Sequence, residues 1–293
     1  MGPLLFNIYL CDLFYLVDNI DIASYADDTT PYCCTNNQQS TIASLEIATN
    51  KLFEWFSYNS MKANAEKCHL IVSSYEKLSV RIENFDIENS KCEKLLGIQI
   101  DSRLTFKNHV STICKKTSQK LHALARISSY MNISQRRVIM KAFISSQFSY
   151  CPLVWMFHSR ALNNRINKLH ERSLRIVYND NTSSFTDLLQ KDNSVSVHQR
   201  NIQILLTEMY KVKNGFAPKI MSEVFRLRNN SYNLRNNSTF VRDTVNTVHY
   251  GTDSLAFLGP QIWDQLPNDY KYIESLNIFR NKIKKLENSR LSL

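Results

Sequence analysis

The sequence predicts an α+β segment followed by a mostly helical half, and three observations carry that prediction. Between Ile22 and Tyr32 two short runs rich in β-branched and aromatic residues flank the adjacent carboxylates Asp27 and Asp28, the pattern of an acid-tipped β-hairpin. From about Phe106 onward the apolar period becomes 3.6, the period of amphipathic helices. Charge changes sign along the chain: residues 1–100 hold 7 Lys and Arg against 13 Asp and Glu, the remainder 29 against 13. An acidic part followed by a basic helical part suits a metal-dependent catalyst with an arm that grips nucleic acid. Two solvated surfaces of different composition would give the same totals.

Composition narrows the class. With 293 residues, 43% hydrophobic and 11% aromatic, the chain has material for a packed core, and only 5 Gly and 6 Pro argue against long low-complexity linkers. A net charge of +10 points to a polyanionic partner. Cys11, Cys33, Cys34, Cys68, Cys92, Cys114 and Cys151 show no CxxC spacing and are odd in number, as reduced intracellular thiols would be, with neither a disulfide framework nor a zinc site implied. The apolar opening from Pro3 to Ile20 lacks a basic start and contains Asn7, Asp12 and Asp18, so it reads as neither signal peptide nor membrane span. The expected location is the cytoplasm and nucleus, where the sequons at Asn132, Asn181, Asn229 and Asn237 carry no information.

Taken in order, Gly2-Pro3 opens a helix with an apolar face at Leu4, Leu5, Ile8, Leu13 and Leu16, expected to lie under the hairpin. Gln38 to Tyr58 is a second amphipathic helix through Ile42, Leu45, Ile47, Leu52, Trp55 and Phe56. Strands are expected over His69 to Ser73, Ser79 to Ile82 and Leu95 to Ile100. One helix then runs through Val110, Ile113, Cys114, Leu121, Leu124 and Ile127 with Lys107, Lys115, Lys116 and Lys120 among its polar residues. Ser134 is the expected N-cap of the next, which continues through Phe148 until Pro152 ends or reshapes it.

Leu162, Ile166, Leu169, Ile176 and Val177 define a further helix whose other face carries Arg165, Lys168, Arg172 and Arg175 as one basic stripe. Such a stripe can track a phosphate backbone, or be an ordinary solvated face. A helix from Val197 stops at Asn214-Gly215. Residues 226–251 read as a polar linker in which the run from Arg228 to Asn233 is echoed from Arg235 to Phe240, and where Tyr232, Phe240 and Tyr250 could stack on unpaired bases. Trp263 marks an aromatic packing segment, and Arg280, Lys282, Lys284 and Lys285 a terminal basic helix.

Several stretches, in this order, carry a family resemblance. Tyr25-Ala26-Asp27-Asp28 resembles the catalytic hairpin of reverse transcriptases, and the run from Gly2 to Leu13 resembles the segment that precedes it in jockey-like non-LTR retrotransposons. Trp55-Phe56, Asn64, Lys67 and the run from Lys94 to Asp101 follow in the family's order, and the run from Gly259 to Pro267 resembles the tail found after the domain. The resemblance implies a partial polymerase palm over 1–101, a helical thumb or connection over 102–225, and a linker with a tail helix over 226–293.

It further implies that Asp27 and Asp28 belong to a two-metal Mg²⁺ site, with Lys67 near the leaving pyrophosphate. Leu95, Leu96 and Gly97 would form the primer-grip turn, Gly2 and Pro3 would face template and nucleotide, and the basic helices would contact the nucleic-acid backbone. The partners implied are an RNA template, a DNA primer and deoxynucleoside triphosphates. In the family another metal-binding Asp and the fingers precede the Gly2 segment, and no later Asp replaces that ligand, Asp101, Asp180, Asp187 and Asp192 included. The chain by itself is therefore expected to be inactive as a polymerase. The alternative readings are a non-catalytic RNA- or DNA-binding remnant and a generic helical interaction protein.

Overall fold

The computed structural model describes residues 1–18, 20–73, 77–157, 160–228 and 238–286, and it divides into two compact units, Met1–Leu104 and Thr105–Leu293. The α+β class holds: among the described residues the strands all fall in the first unit and the second is helical.

In the first unit, helix α1 (Gly2–Tyr9) begins with Pro3 in its first turn, where a missing N–H costs nothing. The expected longer helix is broken at this point: after Tyr9 the chain tightens into a 3₁₀ turn, Cys11–Tyr15. That tightening sends Leu10 and Leu13 inward against Leu52, Trp55 and Ile22, while Leu4, Leu5 and Ile8 remain 64%, 59% and 58% exposed. The packing under the hairpin is therefore made by the 3₁₀ turn, and the apolar face of α1 is not buried as expected.

Strands β1 (Asp21–Tyr25) and β2 (Asp28–Tyr32) pair antiparallel, with Tyr25 opposite Asp28. Helix α2 (Gln38–Tyr58) has the bounds the sequence suggested, and the Asn37 side chain caps it by accepting from the Gln39 N–H at 2.9 Å. It is the spine of the unit. Leu52 and Trp55 join the core under the hairpin, and Ile42, Leu45 and Phe53 pack on a second core of Ala65, Val80 and Ile82.

The remaining strands correct the sequence reading. The strand expected at His69 to Ser73 is only an isolated parallel bridge between Leu70 and Asn89. Strands β3 (Ser79–Ile82), β4 (Phe85–Glu88), β5 (Cys92–Leu95) and β6 (Ile98–Asp101) form two further antiparallel hairpins, so the described residues hold three separate two-stranded sheets. The single strand expected over Leu95 to Ile100 is folded back on itself at Leu96 and Gly97. Asp86, Glu88, Glu93 and Lys94 hid β4 and β5, since edge strands tolerate charge that a buried strand would not.

The second unit comprises α3 (Lys107–Ile127), α4 (Ile133–Ile139), α5 (Pro152–Trp155), α6 (Arg160–Tyr178), α7 (Phe185–Asp192) and α8 (Val197–Lys213). After these come α9 (Lys219–Val224), α10 (Leu255–Asp264), α11 (Asn268–Lys271) and α12 (Leu276–Lys284). Asn132, not Ser134, caps α4: its Oδ1 accepts from the Gln135 N–H at 2.9 Å while Gln135 Oε1 accepts from the Asn132 N–H at 3.0 Å. The helix expected to reach Phe148 unwinds through a π turn (Met140–Ile144) and a 3₁₀ turn (Ser145–Phe148), and Pro152 starts α5 instead of ending α4.

One core of this unit joins α3, α6 and α7 through Leu121, Leu124, Phe148, Trp155, Leu174 and Leu188. The other is an aromatic stack on α8, α10 and α12: Tyr210 lies on Phe279 at 4.4 Å between ring centroids, and Phe240 meets the edge of Trp263 at 5.4 Å. Phe240 is fully buried and bridges to Leu227, so this part of the expected polar linker is core and does not offer its ring to a base. Tyr232, Asn229, Asn237 and most of the short repeat lie outside the described residues.

Candidate active-site hairpin and nucleic-acid interface

The register of β1 and β2 leaves only Ala26 and Asp27 to close the hairpin. Such a turn needs a positive φ, and here it falls on Ala26, at φ 54°, at a cost of about 1 kcal/mol because a Cβ crowds the following carbonyl. Asp27 thus sits in the turn and Asp28 begins the returning strand. Both carboxylates are exposed, and neither side chain has a hydrogen bond or ion pair among the described residues. Ile22 anchors the hairpin to the α2 core, and Thr29, Thr30 and Pro31 are half-buried, which fixes the tip on a packed base.

Two unengaged carboxylates at consecutive positions are hard oxygen donors of the kind Mg²⁺ takes alongside water and phosphate. They fit the ion as a partial ligand set: among the described residues no group of three His, Cys, Asp or Glu side chains could hold a metal. The later aspartates are committed elsewhere. Asp101 accepts from the Arg103 N–H at 3.2 Å, and Asp187 closes a capping box with Ser184. Asp180 binds Lys191 Nζ at 2.8 Å and the Thr182 and Ser183 N–H groups, which hold its carboxyl well below the usual carboxylate range. Asp192 is buried and accepts from Arg137 Nε at 2.7 Å and from the Tyr178 hydroxyl at 2.9 Å.

Lys67 ends a short 3₁₀ turn, Ala65–Lys67, which the Asn64 side chain caps by accepting from the Glu66 N–H at 3.0 Å. Ala65 anchors that turn on α2, and Lys67 is exposed with no ion pair to Asp27 or Asp28. Leu95 pairs with Ile98, leaving Leu96 at φ 46° and Gly97 at φ 86° as a two-residue turn with both residues left-handed. Glycine takes that backbone freely, leucine does not, and Leu96 is presented at the tip, 41% exposed. Gly2 and Pro3 are exposed at the start of α1, and a Cβ on Gly2 would meet nothing within 4 Å.

In the second unit Lys115 and Lys116 are exposed on α3 and Lys120 is half-buried. On α6 the stripe is shorter than the sequence suggested. Lys168 and Arg172 are exposed, and Arg165 is exposed while donating to Ser111 Oγ at 3.3 Å across to α3. Arg175 is withdrawn: its Nη2 binds Glu171 Oε1 at 2.6 Å and its Nη1 the Asp180 carbonyl at 3.3 Å. The acid one turn earlier was the signal that this cation is spent. Sequence reading also passed over Arg126, which is exposed without an ion pair among the described residues, eleven residues after Lys115, a spacing that returns to the same helical face. Asn50 was missed as well: its amide donates to the Arg81 carbonyl and accepts from the Glu83 N–H, both at 3.0 Å, pinning the β3–β4 hairpin to α2.

Residues 1–100 match the reverse transcriptase (RNA-dependent DNA polymerase) family. Among curated proteins the chain is similar to three from Drosophila melanogaster. It is 24% identical over 60% of its length to "Probable RNA-directed DNA polymerase from transposon BS". It is 24% identical, again over 60%, to "RNA-directed DNA polymerase from mobile element jockey", and 21% identical to "Probable RNA-directed DNA polymerase from transposon X-element". The matched part spans about a fifth of each relative, 20% to 21% of its length. No solved structure matches. The Asp27-Asp28 hairpin, Asn64, Lys67 and the Leu96-Gly97 turn all lie inside residues 1–100, the part of the chain that is similar to the reverse transcriptase family.

Proposed function

We propose that this chain is part of an RNA-directed DNA polymerase. Its first unit supplies the carboxylate tip of the nucleotidyl-transfer site, and its second a basic helical surface for the template and primer. The observation that carries the reading is the β1–β2 hairpin, which holds two unpaired carboxylates on a packed base. Asp27 and Asp28 would hold Mg²⁺, which when bound neutralises phosphate charge and lowers the pKa of an attacking hydroxyl. Asp27, in the turn itself, is the more direct ligand. The Leu96-Gly97 turn would approach the primer end, Lys67 would offset charge on the departing pyrophosphate, and Gly2 and Pro3 would face template and nucleotide.

The exposed cations Lys115, Lys116, Arg165, Lys168 and Arg172 would meet the backbone as sequence-independent, salt-sensitive contacts. The site of action that goes with such a template is the cytoplasm and nucleus. A second reading, a binding protein without chemistry, is favoured by one specific observation, the lack of a third metal-binding side chain beside the pair among the described residues. Primer extension on an RNA template with Mg²⁺, run beside oligonucleotide binding, separates them. Under the polymerase reading Asp27→Asn abolishes extension, measured with these residues joined to the rest of the domain, and leaves binding intact. Under the second, no extension occurs with or without the substitution.

A further inference from the structure

Between Asp101 and Glu171 the chain contains no Asp or Glu, while it carries twelve Lys and Arg. This acid-free run builds α3, α4 and the first half of α6. On α3, Lys115, His122 and Arg126 are all exposed, and their spacing places them on one helical face. One turn beyond Arg126, in the 3₁₀ turn Ser128–Tyr130, stands Tyr130, 88% exposed.

Tyr130 also forms the rim of a shallow hollow of about 440 Å³ whose other walls are Met131, Ser134, Gln135, Val138 and Ile139. Lys141, one turn past Val138, is exposed, and neither it nor Arg126 has an ion pair among the described residues. Asp192, on the neighbouring α7, is already taken by Arg137 and the Tyr178 hydroxyl. Arg136 spends its guanidinium on the carbonyls of Met131, Ile176 and Val177, so its positive charge is not offset by an acid.

A soluble surface that leaves Val138 67% and Ile133 49% exposed beside a bare aromatic ring invites a partner with an apolar face, and the surrounding charge demands that the partner be anionic. A nucleotide in a single strand has both: a flat base on one side, phosphate on the other. We infer that the α3–α4 corner is a binding site for an unpaired nucleotide of a single-stranded nucleic acid. The base stacks on Tyr130 over the hollow, and the flanking phosphates lie along Lys115, His122 and Arg126 on one side and Lys141 on the other. This rests on the nucleic-acid reading given above and adds a place and a strand type to it. Duplex, whose bases are already stacked, gains nothing from the ring.

The test is fluorescence anisotropy of the full chain with three labelled ligands of equal length: oligo-dT, the same backbone without bases, and a blunt duplex. Tyr130→Ala is expected to weaken oligo-dT binding between about fivefold and a hundredfold, the range for loss of one stacked base. Tyr130→Phe, which keeps the ring, is expected to bind as the wild type. The abasic strand and the duplex are expected to bind both proteins equally, and Arg126→Ala to weaken all three ligands with a shallower salt dependence. Because Tyr130 is so exposed, its substitution leaves the fold unchanged.

The inference is overturned if Tyr130→Ala binds oligo-dT as tightly as the wild type while Arg126→Ala binds it less, a result that spares the broader reading. It is equally overturned if an acidic amphipathic peptide, and not oligo-dT, binds in a Tyr130-dependent way, since the hollow then belongs to a protein. Failure of the wild type to bind any of the three ligands overturns this site and the nucleic-acid reading together.

Discussion

In Met1–Leu104 the two buried clusters hold four and three residues, whereas Thr105–Leu293 has two clusters of fifteen each among the described residues. The difference reflects two ways of using sequence. The first unit spends its length on three short hairpins whose tips sit at strained or glycine-bearing turns, at Ala26, Glu83 and Leu96-Gly97, and keeps the side chains there in solvent. The second unit spends its length on amphipathic helices that interlock aromatic rings, and its exposed chemistry is a charged helical surface. Under the proposed function the carboxylates need a rigid mount and open access, and a hairpin pinned to one long helix gives both. A polyanion needs many weak contacts spread over a stable body, which a helical core provides.

That contrast can be broken most severely in the second unit. Trp263 is fully buried between Phe240 and Phe279, so Trp263→Ala is expected to cost about 3–5 kcal/mol, read as a shift in the urea midpoint. Its indole N–H is buried without a partner among the described residues, so Trp263→Phe gives up ring area but no hydrogen bond seen there and is expected to cost clearly less. An equal loss for both variants would show that the stack is not what holds this unit.

A pH dependence should follow from the same core. Burial, with Arg200 nearby, lowers His170 to a pKa of about 4 despite the opposing charge of Asp192. The unfolded chain binds this proton near pH 6.5 and the folded chain resists it, so stability is full above that pH. It is expected to fall by about 3 kcal/mol as pH drops from 6.5 to 4. Urea melts across that window test it, and His170→Gln should flatten this component of the loss. A wild-type profile that stays level from pH 6.5 to 4 would contradict the buried placement.

Smaller effects belong to the first unit. Asn50→Ala removes two bonds to the β3–β4 turn and is expected to cost about 1–2 kcal/mol, with faster amide exchange at Glu83 as its local signature. Leu96→Asn relieves a left-handed leucine and should stabilise by up to about 1 kcal/mol. If the turn serves a primer end, the same change should weaken primer extension despite the added stability.

The pattern of what was legible follows the range of the forces involved. The Asp27-Asp28 hairpin, the span of α2 and the stop at Asn214-Gly215 are set by residues within a few positions of each other, and these could be read directly. Phe240 is one apolar residue in a polar stretch, and only its distant partners Phe225 and Trp263 make it core. Asn132 and Ser134 are both acceptable caps; the reciprocal bond with Gln135 decides for Asn132. The break in the first helix depends on Leu10 and Leu13 reaching Leu52 and Trp55, contacts that span some forty residues. At the candidate site, the pair Asp27 and Asp28 was legible as a motif, but the withdrawal of Arg175 and the service of Asn50 needed the fold.

The account rests most directly on Asp27 and Asp28 being a divalent-cation site separate from the basic surface. Mn²⁺ binding followed by water proton relaxation, on the wild type and on the Asp27→Asn/Asp28→Asn double variant, tests this with oligonucleotide affinity measured alongside. The account predicts a Mn²⁺ site in the wild type, weakened at least about tenfold in the double variant, with oligonucleotide binding unchanged. Equal Mn²⁺ binding by both proteins would contradict it.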